Sequence, residues 1–160
     1  MTLGPVLLQP RSRGRISLAS ADPDAKPRIE PRYLTDPEGQ DIATMVAGVK
    51  MSRAILARPQ LATFGTEPVE PGPGVETDEQ LATFVREQAE TLYHPVGTCW
   101  MGDDENAVVD ARLRVRGVER LRVVDCSIMP TIIRGHTNAP AMMIGERAAD
   151  LIREDARAAV

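Results

Sequence analysis

The segment from Leu92 to Gly102, LYHPVGTCWMG, constrains the fold of this chain more than any other stretch. A predicted helix leads up to the segment and runs directly into Tyr93 and His94, where the following HPVG ends it. His94 therefore stands at the boundary of an element, a rigid position from which a side chain can be aimed. The other histidine of the chain, His136, lies 42 positions later in RGHTNAPAMMIGERAADLI.

The two histidines are candidates for proton chemistry. Imidazole is the side chain that changes charge nearest neutral pH, and this chain places both copies among Gly, Pro and Thr. The alternative is that each is an ordinary loop residue, since spacing does not show that His94 and His136 meet. No metal site is predicted, because zinc sites need three or four closely spaced ligands and neither histidine lies in such a pattern.

Composition excludes several functional classes. With 160 residues, 42% of them hydrophobic, the chain has the length of one domain and enough apolar side chains for a core. A net charge of −4 argues against nucleic acid as a partner. There is neither an apolar run long enough to cross a membrane nor a signal peptide, so we expect a cytoplasmic chain. Cys99 and Cys126 are predicted to be free thiols.

The first half is predicted to contain a hairpin and two helices. Val6–Gln9 and Arg15–Ala19 are expected to pair as strands, followed by a solvated, extended segment at 22–31. A capping box at Thr35 predicts a helix from Asp36 to about Pro59. Its apolar stripe consists of Ile42, Met45, Val46, Val49, Ile55 and Leu56. A Pro- and Gly-rich surface loop at 67–75 precedes the second helix, which opens at a capping box formed by Thr77 and Gln80.

The second half is predicted to contain two strands and a long helix. The β-prone runs Leu113–Val115 and Leu121–Val124 flank Gly117, and the second of them ends at Asp125. A helix then begins with Asn138 as its N-cap and proline in its first turn. Its inner face is predicted to consist of Ala141, Ile144, Ala148, Leu151 and Ile152.

These segments carry a resemblance to a known family. YHPVGTCWMG, LRVVDCSIMP and GHTNAPAMMIGERAADLI, in this order, resemble the carboxy-terminal part of the glucose–methanol–choline (GMC) family of FAD-dependent oxidoreductases. The opening GPVLLQPRSRGRISLASADP is similar to the start of the same region. Members of that family begin with a GxGxxG turn that holds FAD, and this chain contains no such motif. The resemblance therefore implies the second half of an enzyme, whose partner is an amino-terminal FAD-binding half.

The resemblance also implies a fold. We expect an α+β protein in which an antiparallel sheet with flanking helices forms the substrate-binding region. The last strand and helix are expected to complete the FAD-binding domain. In residue ranges, 1–106 would be the substrate-binding region with the catalytic histidine segment, and 107–160 the part that packs on the FAD domain.

The family relationship implies a reaction and roles for both histidines. Family members oxidise a small-molecule alcohol from CH–OH to a carbonyl and pass hydride to N5 of FAD. The histidine of the HPVGT segment is the general base in the family, a role that carries over to His94. The tenth residue before Glu146, at the second active-site position, is His136, as in the His–His branch of the family. The segment NAPAMMIGERAADLI is closer to choline dehydrogenase-like members.

The resemblance further places six residues beside the cofactor, namely Asp125, Cys126, Thr137, Asn138, Ala139 and Pro140. The amino terminus of a helix carries a partial positive charge of about +0.5, which suits the negative charge of a reduced flavin. For Asp125 a second interpretation stays open, that of a turn residue at the end of a strand.

The sequence also allows two rival functions. One is a non-catalytic fragment or split-gene module that needs a partner flavin-binding chain. The other is a hydrolase built on Ser127, a histidine and Asp125, which lacks a GxSxG nucleophile elbow and is disfavoured for that reason.

Overall fold

A computed structural model describes residues 2–65 and 69–158 of the chain. The chain divides into two compact units, Met1–Glu90 and Thr91–Val160. The predicted α+β class is confirmed: the described residues form helices and an antiparallel sheet of two strands. None of the described helices has the length and apolar character of a membrane span.

The sheet of the first unit differs from the predicted hairpin. Strand β1 (Arg15–Ser17) pairs antiparallel with β2 (Arg28–Glu30), so the prediction of a strand at Val6–Gln9 is wrong. The segment 22–31 is predicted to be extended and solvated, and β2 within it is extended and mostly exposed; the sequence does not predict its pairing with β1.

The physical reason for the missing strand lies just after Pro10. The backbone N–H groups of Arg11 and Ser12 both donate to the carboxylate of Asp41, each over 2.8 Å. These contacts bind this segment to helix α1, so it does not form the predicted turn.

Helix α1 (Gln40–Leu56) starts four residues later than the sequence predicts. The predicted N-cap, Thr35, instead donates its hydroxyl hydrogen bond to the carbonyl of Arg32 over 2.6 Å. The carboxylate of Asp36 accepts the N–H groups of Gln40 and Asp41, which are the first two residues of the helix. The side chain of Asp36, four residues before the helix, thus accepts hydrogen bonds from two of the backbone N–H groups that have no partner within α1.

The core of the first unit lies between α1 and α2 (Asp78–Gln88). Its buried members are Val46, Val49, Leu81 and Val85. Each such side chain contributes about 1.5–3 kcal/mol when it is fully buried. The predicted stripe of α1 is confirmed at these two valines and wrong at Ile55, which is exposed.

The predicted capping box of α2 is confirmed. The backbone N–H of Gln80 donates to the hydroxyl of Thr77 over 3.2 Å, and the Gln80 side chain accepts the N–H of Thr77 over 3.0 Å. A short 3₁₀ helix (Pro59–Phe64) lies before it. Of the predicted loop at 67–75, residues 67 and 68 lie outside the described residues, and the rest has no helix or strand.

Helix α2 does not run directly into His94, as predicted, but ends at Gln88. Ala89 has an extended backbone, with φ −68° and ψ 129°. The side chains of residues 86–90 are exposed, so there is no apolar face to continue the helical stripe.

The second unit contains single bridges where two strands are predicted. Val109 bridges to Met101 and Val115, and Arg114 bridges to Arg122. The prediction of strands at 113–115 and 121–124 is therefore wrong. Positive φ angles interrupt the ladder at Leu113 (63°), Gly117 (75°) and Arg120 (60°).

Helix α3 (Asn138–Ala158) supplies much of the second core. The helix begins at Asn138 itself, and the carbonyl of Thr137 accepts the N–H of Ala141 over 2.9 Å. The predicted N-cap is therefore displaced by one residue, and Pro140 does lie in the first turn. The core consists of Val109, Leu113, Ile128, Ile144, Ala148 and Leu151. Of the predicted inner face, Ala141 and Ile152 are exposed, so that part of the prediction is wrong.

The end of α3 is attached to the rest of the second unit through Asp155. Its carboxylate accepts hydrogen bonds from Arg112, over 2.6 Å, and from Arg114 and Arg122. The hydrogen bond from Arg114 is the main cause that lowers the pKa of Asp155 from 3.8 to about 2; burial opposes it and Arg112 adds to it.

Candidate active site

The two histidines of the chain lie side by side in the second unit. Nε2 of His94 is 2.8 Å from Nδ1 of His136, which is hydrogen-bond distance. The ring centroids are 5.0 Å apart and the ring planes meet at 73°, an edge-to-face arrangement. The fold therefore brings together the two side chains that the sequence singles out, across 42 positions.

The segment that carries His94 is held by its backbone. The N–H of Cys99 donates to the carbonyl of Ser127 over 3.0 Å, and that of Met101 donates to the carbonyl of Ile128 over 2.8 Å. Gly97 has φ 86°, a conformation that side chains with a Cβ rarely adopt. A Cβ at this position would also lie 3.3 Å from the carbonyl oxygen of Met129. Glycine at 97 thus permits the close approach that fixes this segment.

Thr137 contacts His94 on the opposite edge of the ring. The threonine hydroxyl oxygen lies 2.9 Å from Nδ1 of His94. Thr137 itself is buried, with 8% of its surface exposed. Both ring nitrogens of His94 therefore have a hydrogen-bond partner from the segment just before α3, and the orientation of the ring is defined from both sides.

Cys126, which is also predicted to lie beside the cofactor, contacts Thr137. Its thiol donates to the carbonyl of Thr137 over 3.6 Å, a sulfur hydrogen bond. The same carbonyl accepts the N–H of Ala141. Both cysteines, Cys99 and Cys126, are free and half-buried. The backbone of Thr137 is thus fixed by two donors.

The other residues predicted to contact the cofactor lie at the starts of two helices, a 3₁₀ helix and α3. Asp125 is exposed, and its carboxylate accepts the N–H of Ser127 over 2.7 Å at the start of a 3₁₀ helix (Cys126–Ile128). This contact agrees with the alternative interpretation of Asp125 as a turn residue. Asn138 and Ala139 are exposed and Pro140 is half-buried, in the first turn of α3.

The two histidines differ in their exposure to solvent. His136 is exposed, whereas His94 is half-buried. Within the described ranges 2–65 and 69–158, no three His, Cys, Asp or Glu side chains form a group that could hold a metal ion.

The contact between Thr137 and His94 is the part of the site that sequence reasoning missed. Thr137 is predicted as a cofactor residue only. The available signal is its position directly after His136, at the start of a helix. That position does not reveal that the hydroxyl faces a ring 43 residues away.

Residues 10–145 match the sequence profile of the family described as GMC oxidoreductase. The chain is 52% identical over 145 residues to alcohol dehydrogenase [acceptor] of Pseudomonas putida, covering 91% of this chain and 26% of that protein. It is 47% identical over 154 residues to choline oxidase of Arthrobacter globiformis, covering 95% of this chain and 28% of that protein.

A solved structure of similar fold is an FAD-dependent oxidoreductase from Chaetomium thermophilum. It matches with a TM-score of 0.86 and 32% identity, over 94% of this chain and 26% of that one. The chain thus spans about a quarter of the length of the relatives it matches. The match over 136 of its residues and the level of identity confirm the predicted relationship: this chain belongs to the GMC oxidoreductase family and corresponds to its carboxy-terminal region.

Proposed function

We propose that this chain provides the alcohol-oxidising side of an FAD-dependent active site, where a CH–OH group becomes a carbonyl. The observation that carries this proposal is the contact of 2.8 Å between Nε2 of His94 and Nδ1 of His136. The two atoms are close enough for one alcohol oxygen to bind both after it displaces their mutual hydrogen bond.

The roles of the two rings follow from the needs of the reaction. Nε2 of His94 accepts the hydroxyl proton of the alcohol, while Nδ1–H of His136 donates a hydrogen bond to the same oxygen. The donor stabilises the negative charge that develops on that oxygen as its proton leaves. Proton transfer to a positioned base contributes about 10² to 10⁴ in rate, and orientation adds to it.

FAD is the cofactor that this site would use. When bound, it supplies the acceptor for the hydride that leaves the alcohol carbon, at its N5 position. The residues present fit such a group: α3 begins directly after the histidine pair and exposes Asn138 and Ala139 in its first turn. The first N–H groups of an α-helix and its partial positive charge favour an electron-rich ligand.

The residues proposed to line the cofactor are Asp125, Cys126, Thr137, Asn138, Ala139 and Pro140. Thr137 would act mainly through its contact to His94, and Cys126 through its contact to the carbonyl of Thr137. The range 107–160 would accordingly belong to the cofactor side of the enzyme, and 1–106 to its substrate side.

A second polypeptide region is part of the proposal. The relatives are three to four times as long as this chain, and a solved structure of similar fold is FAD-dependent. We propose that an amino-terminal FAD-binding half completes the site. The relatives named alcohol dehydrogenase and choline oxidase support an alcohol as the substrate class.

The test uses this chain combined with the amino-terminal half of a related enzyme, co-expressed and purified as a yellow complex, hereafter the flavin-loaded assembly. Stopped-flow absorbance measures flavin reduction by choline and by a panel of primary alcohols without oxygen. Reduction by at least one alcohol is expected. A complex that binds FAD stoichiometrically but is reduced by none would support the non-catalytic module instead.

A further inference from the structure

The hydroxyl of Thr137 lies against the ring nitrogen of His94 that faces away from His136. We propose that Thr137 is a positioning residue: it accepts the Nδ1–H of His94, holds that ring in one tautomer and so keeps Nε2 free to act as the base. This inference rests on the proposed function, in which Nε2 of His94 takes the alcohol proton.

The Thr137 hydroxyl, the His94 ring and the His136 ring form a row joined by two hydrogen bonds. A neutral imidazole carries a proton on one nitrogen and a lone pair on the other. Two orders of donation therefore satisfy both hydrogen bonds. In the first, Thr137 donates to Nδ1 of His94, and Nε2–H of His94 donates to Nδ1 of His136. In the second, Nδ1–H of His136 donates to Nε2 of His94, and Nδ1–H of His94 donates to the hydroxyl oxygen of Thr137.

The chemistry selects the second order. A base must present a lone pair, so the proton of neutral His94 must be on Nδ1. His136 must then carry its proton on Nδ1 in order to donate toward the same oxygen. A hydroxyl is suited to this arrangement because its oxygen accepts the Nδ1–H of His94, and it also accepts from the imidazolium that forms after proton transfer.

The surroundings of Thr137 explain how one hydroxyl can define the tautomer. Its carbonyl is fixed by the N–H of Ala141 and the thiol of Cys126, which limits movement of the backbone. Threonine is branched at Cβ and stiff about χ1. The residue is 8% exposed, so water competes weakly for the ring nitrogen. The hydroxyl is therefore held in place as the partner of Nδ1.

Thr137→Val tests the proposal because valine keeps the shape of threonine and removes the hydroxyl. Thr137→Ser is the matched control, since serine keeps the hydroxyl. In the flavin-loaded assembly, we expect Thr137→Val to lower the rate of flavin reduction about tenfold, which corresponds to about 1.4 kcal/mol. Thr137→Ser is expected to restore the rate to within about threefold of the parent.

Nitrogen-15 NMR provides a readout that does not depend on activity. The co-expressed assembly is labelled with [15N]histidine, and the signals that disappear in His94→Ala and in His136→Asn are assigned to the two imidazoles of this chain. In the parent and in Thr137→Ser, the chemical shifts should show His94 protonated at Nδ1 and unprotonated at Nε2. In Thr137→Val, the proton should be shared between the two nitrogens.

Two results would overturn the inference. One is a parent in which His94 carries its proton on Nε2; the other is a Thr137→Val variant with the tautomer of the parent. Failure of the proposed function has a different signature, because a His94→Ala assembly reduced at the parent rate would remove the base role while the tautomer shift could still be present. Unchanged FAD absorbance in each variant shows that the complex has formed.

Discussion

His94 and His136 share a hydrogen bond of 2.8 Å although 42 positions separate them in sequence. The contact depends on two local features. Backbone hydrogen bonds from Cys99 and Met101 fix the segment after His94, and the start of α3 fixes the segment that carries His136. His136 is thus held just before α3, whereas His94 lies in a segment without helix or strand that backbone hydrogen bonds fix on its carboxy-terminal side.

The first prediction concerns the base. In the flavin-loaded assembly, His94→Ala should lower the rate of flavin reduction by alcohol by about 10² or more, because it removes the ring nitrogen that is proposed to take the hydroxyl proton. Stopped-flow absorbance measures the rate, and the spectrum of oxidised FAD should be nearly unchanged. Reduction at an unaltered rate would remove His94 from the role of base.

The second prediction concerns the hydrogen-bond donor. His136→Asn should reduce the rate less than His94→Ala does, because an amide nitrogen can replace Nδ1 as a donor to the substrate oxygen. His136→Ala, which offers no donor, should be slower than His136→Asn. If His136→Asn were slower than His94→Ala, the roles of the two rings would have to be exchanged.

Local sequence signals predicted some elements well and long-range contacts decided the others. The capping box of Thr77 and Gln80 is complete within four residues, and the structure confirms it. The start of α1 depends instead on Asp36, and through it on Ser12, whose hydroxyl accepts the N–H of Asp36 over 24 positions. No pattern within a window of helical length contains that contact.

The same distinction applies to the candidate site. The scarcity of histidine and its surroundings pointed to His94 and His136, but nothing in their spacing gave the distance between them. The hydroxyl of Thr137 faces His94 only after the chain between the two has folded. Strand pairing near Val115 failed for a related reason, since the positive φ angles that interrupt it occur at Leu113 and Arg120, which are not glycine.

The third prediction concerns Asp41, which is buried with 2% of its surface exposed. Burial tends to raise its pKa, but hydrogen bonds from Arg11 and Ser12 outweigh burial and lower it. Asp41→Asn should destabilise the assembly by about 2 kcal/mol, because its amide N–H₂ group would face a backbone N–H, that of Arg11 or that of Ser12. Urea denaturation measures the change.

The matched control for Asp41→Asn is Glu38→Gln, which removes an exposed ion pair with Arg11. It should change the free energy of unfolding by less than about 1 kcal/mol. Equal effects of the two substitutions would mean that the carboxylate of Asp41 does not organise the segment after Pro10.

The fourth prediction concerns pH and Asp155, whose pKa is lowered from 3.8 to about 2 in the folded chain. When the pKa of a carboxylate is lower in the folded state than in the unfolded state, the carboxylate stabilises the fold fully at pH values above its unfolded pKa. That stabilisation is lost as the pH falls through the folded pKa. Asp155→Asn should therefore lower the unfolding temperature of the assembly at pH 7. The difference from the parent should shrink between about pH 4 and pH 2.

Asp150→Asn is the control for Asp155, since Asp150 is an exposed carboxylate on the same helix that pairs with Arg153. Its substitution should leave the unfolding temperature nearly unchanged at pH 7. A difference between parent and Asp155→Asn that stays constant from pH 7 to pH 2 would contradict the assigned contribution of the three arginine contacts.

The last prediction concerns the 160-residue chain by itself. Met142 and Met143 in the early turns of α3 are exposed, at 61% and 60%, beside the first turn that we propose faces FAD. Each large apolar side chain contributes about 1.5–3 kcal/mol once it is buried, so a partner that covers this surface would add substantially to a marginal stability. We expect the isolated chain to be colourless, to retain no FAD, to oxidise no alcohol and to unfold over a broad transition.

Co-expression with the amino-terminal half should yield soluble, yellow material and a sharper transition. Met142→Ser combined with Met143→Ser should weaken that recovery, because the proposed apolar contact is lost, whereas the exposed substitution Arg153→Ser on the same helix should not. Isothermal titration in which the 160 residues bind FAD stoichiometrically without a partner would contradict the proposed two-part enzyme.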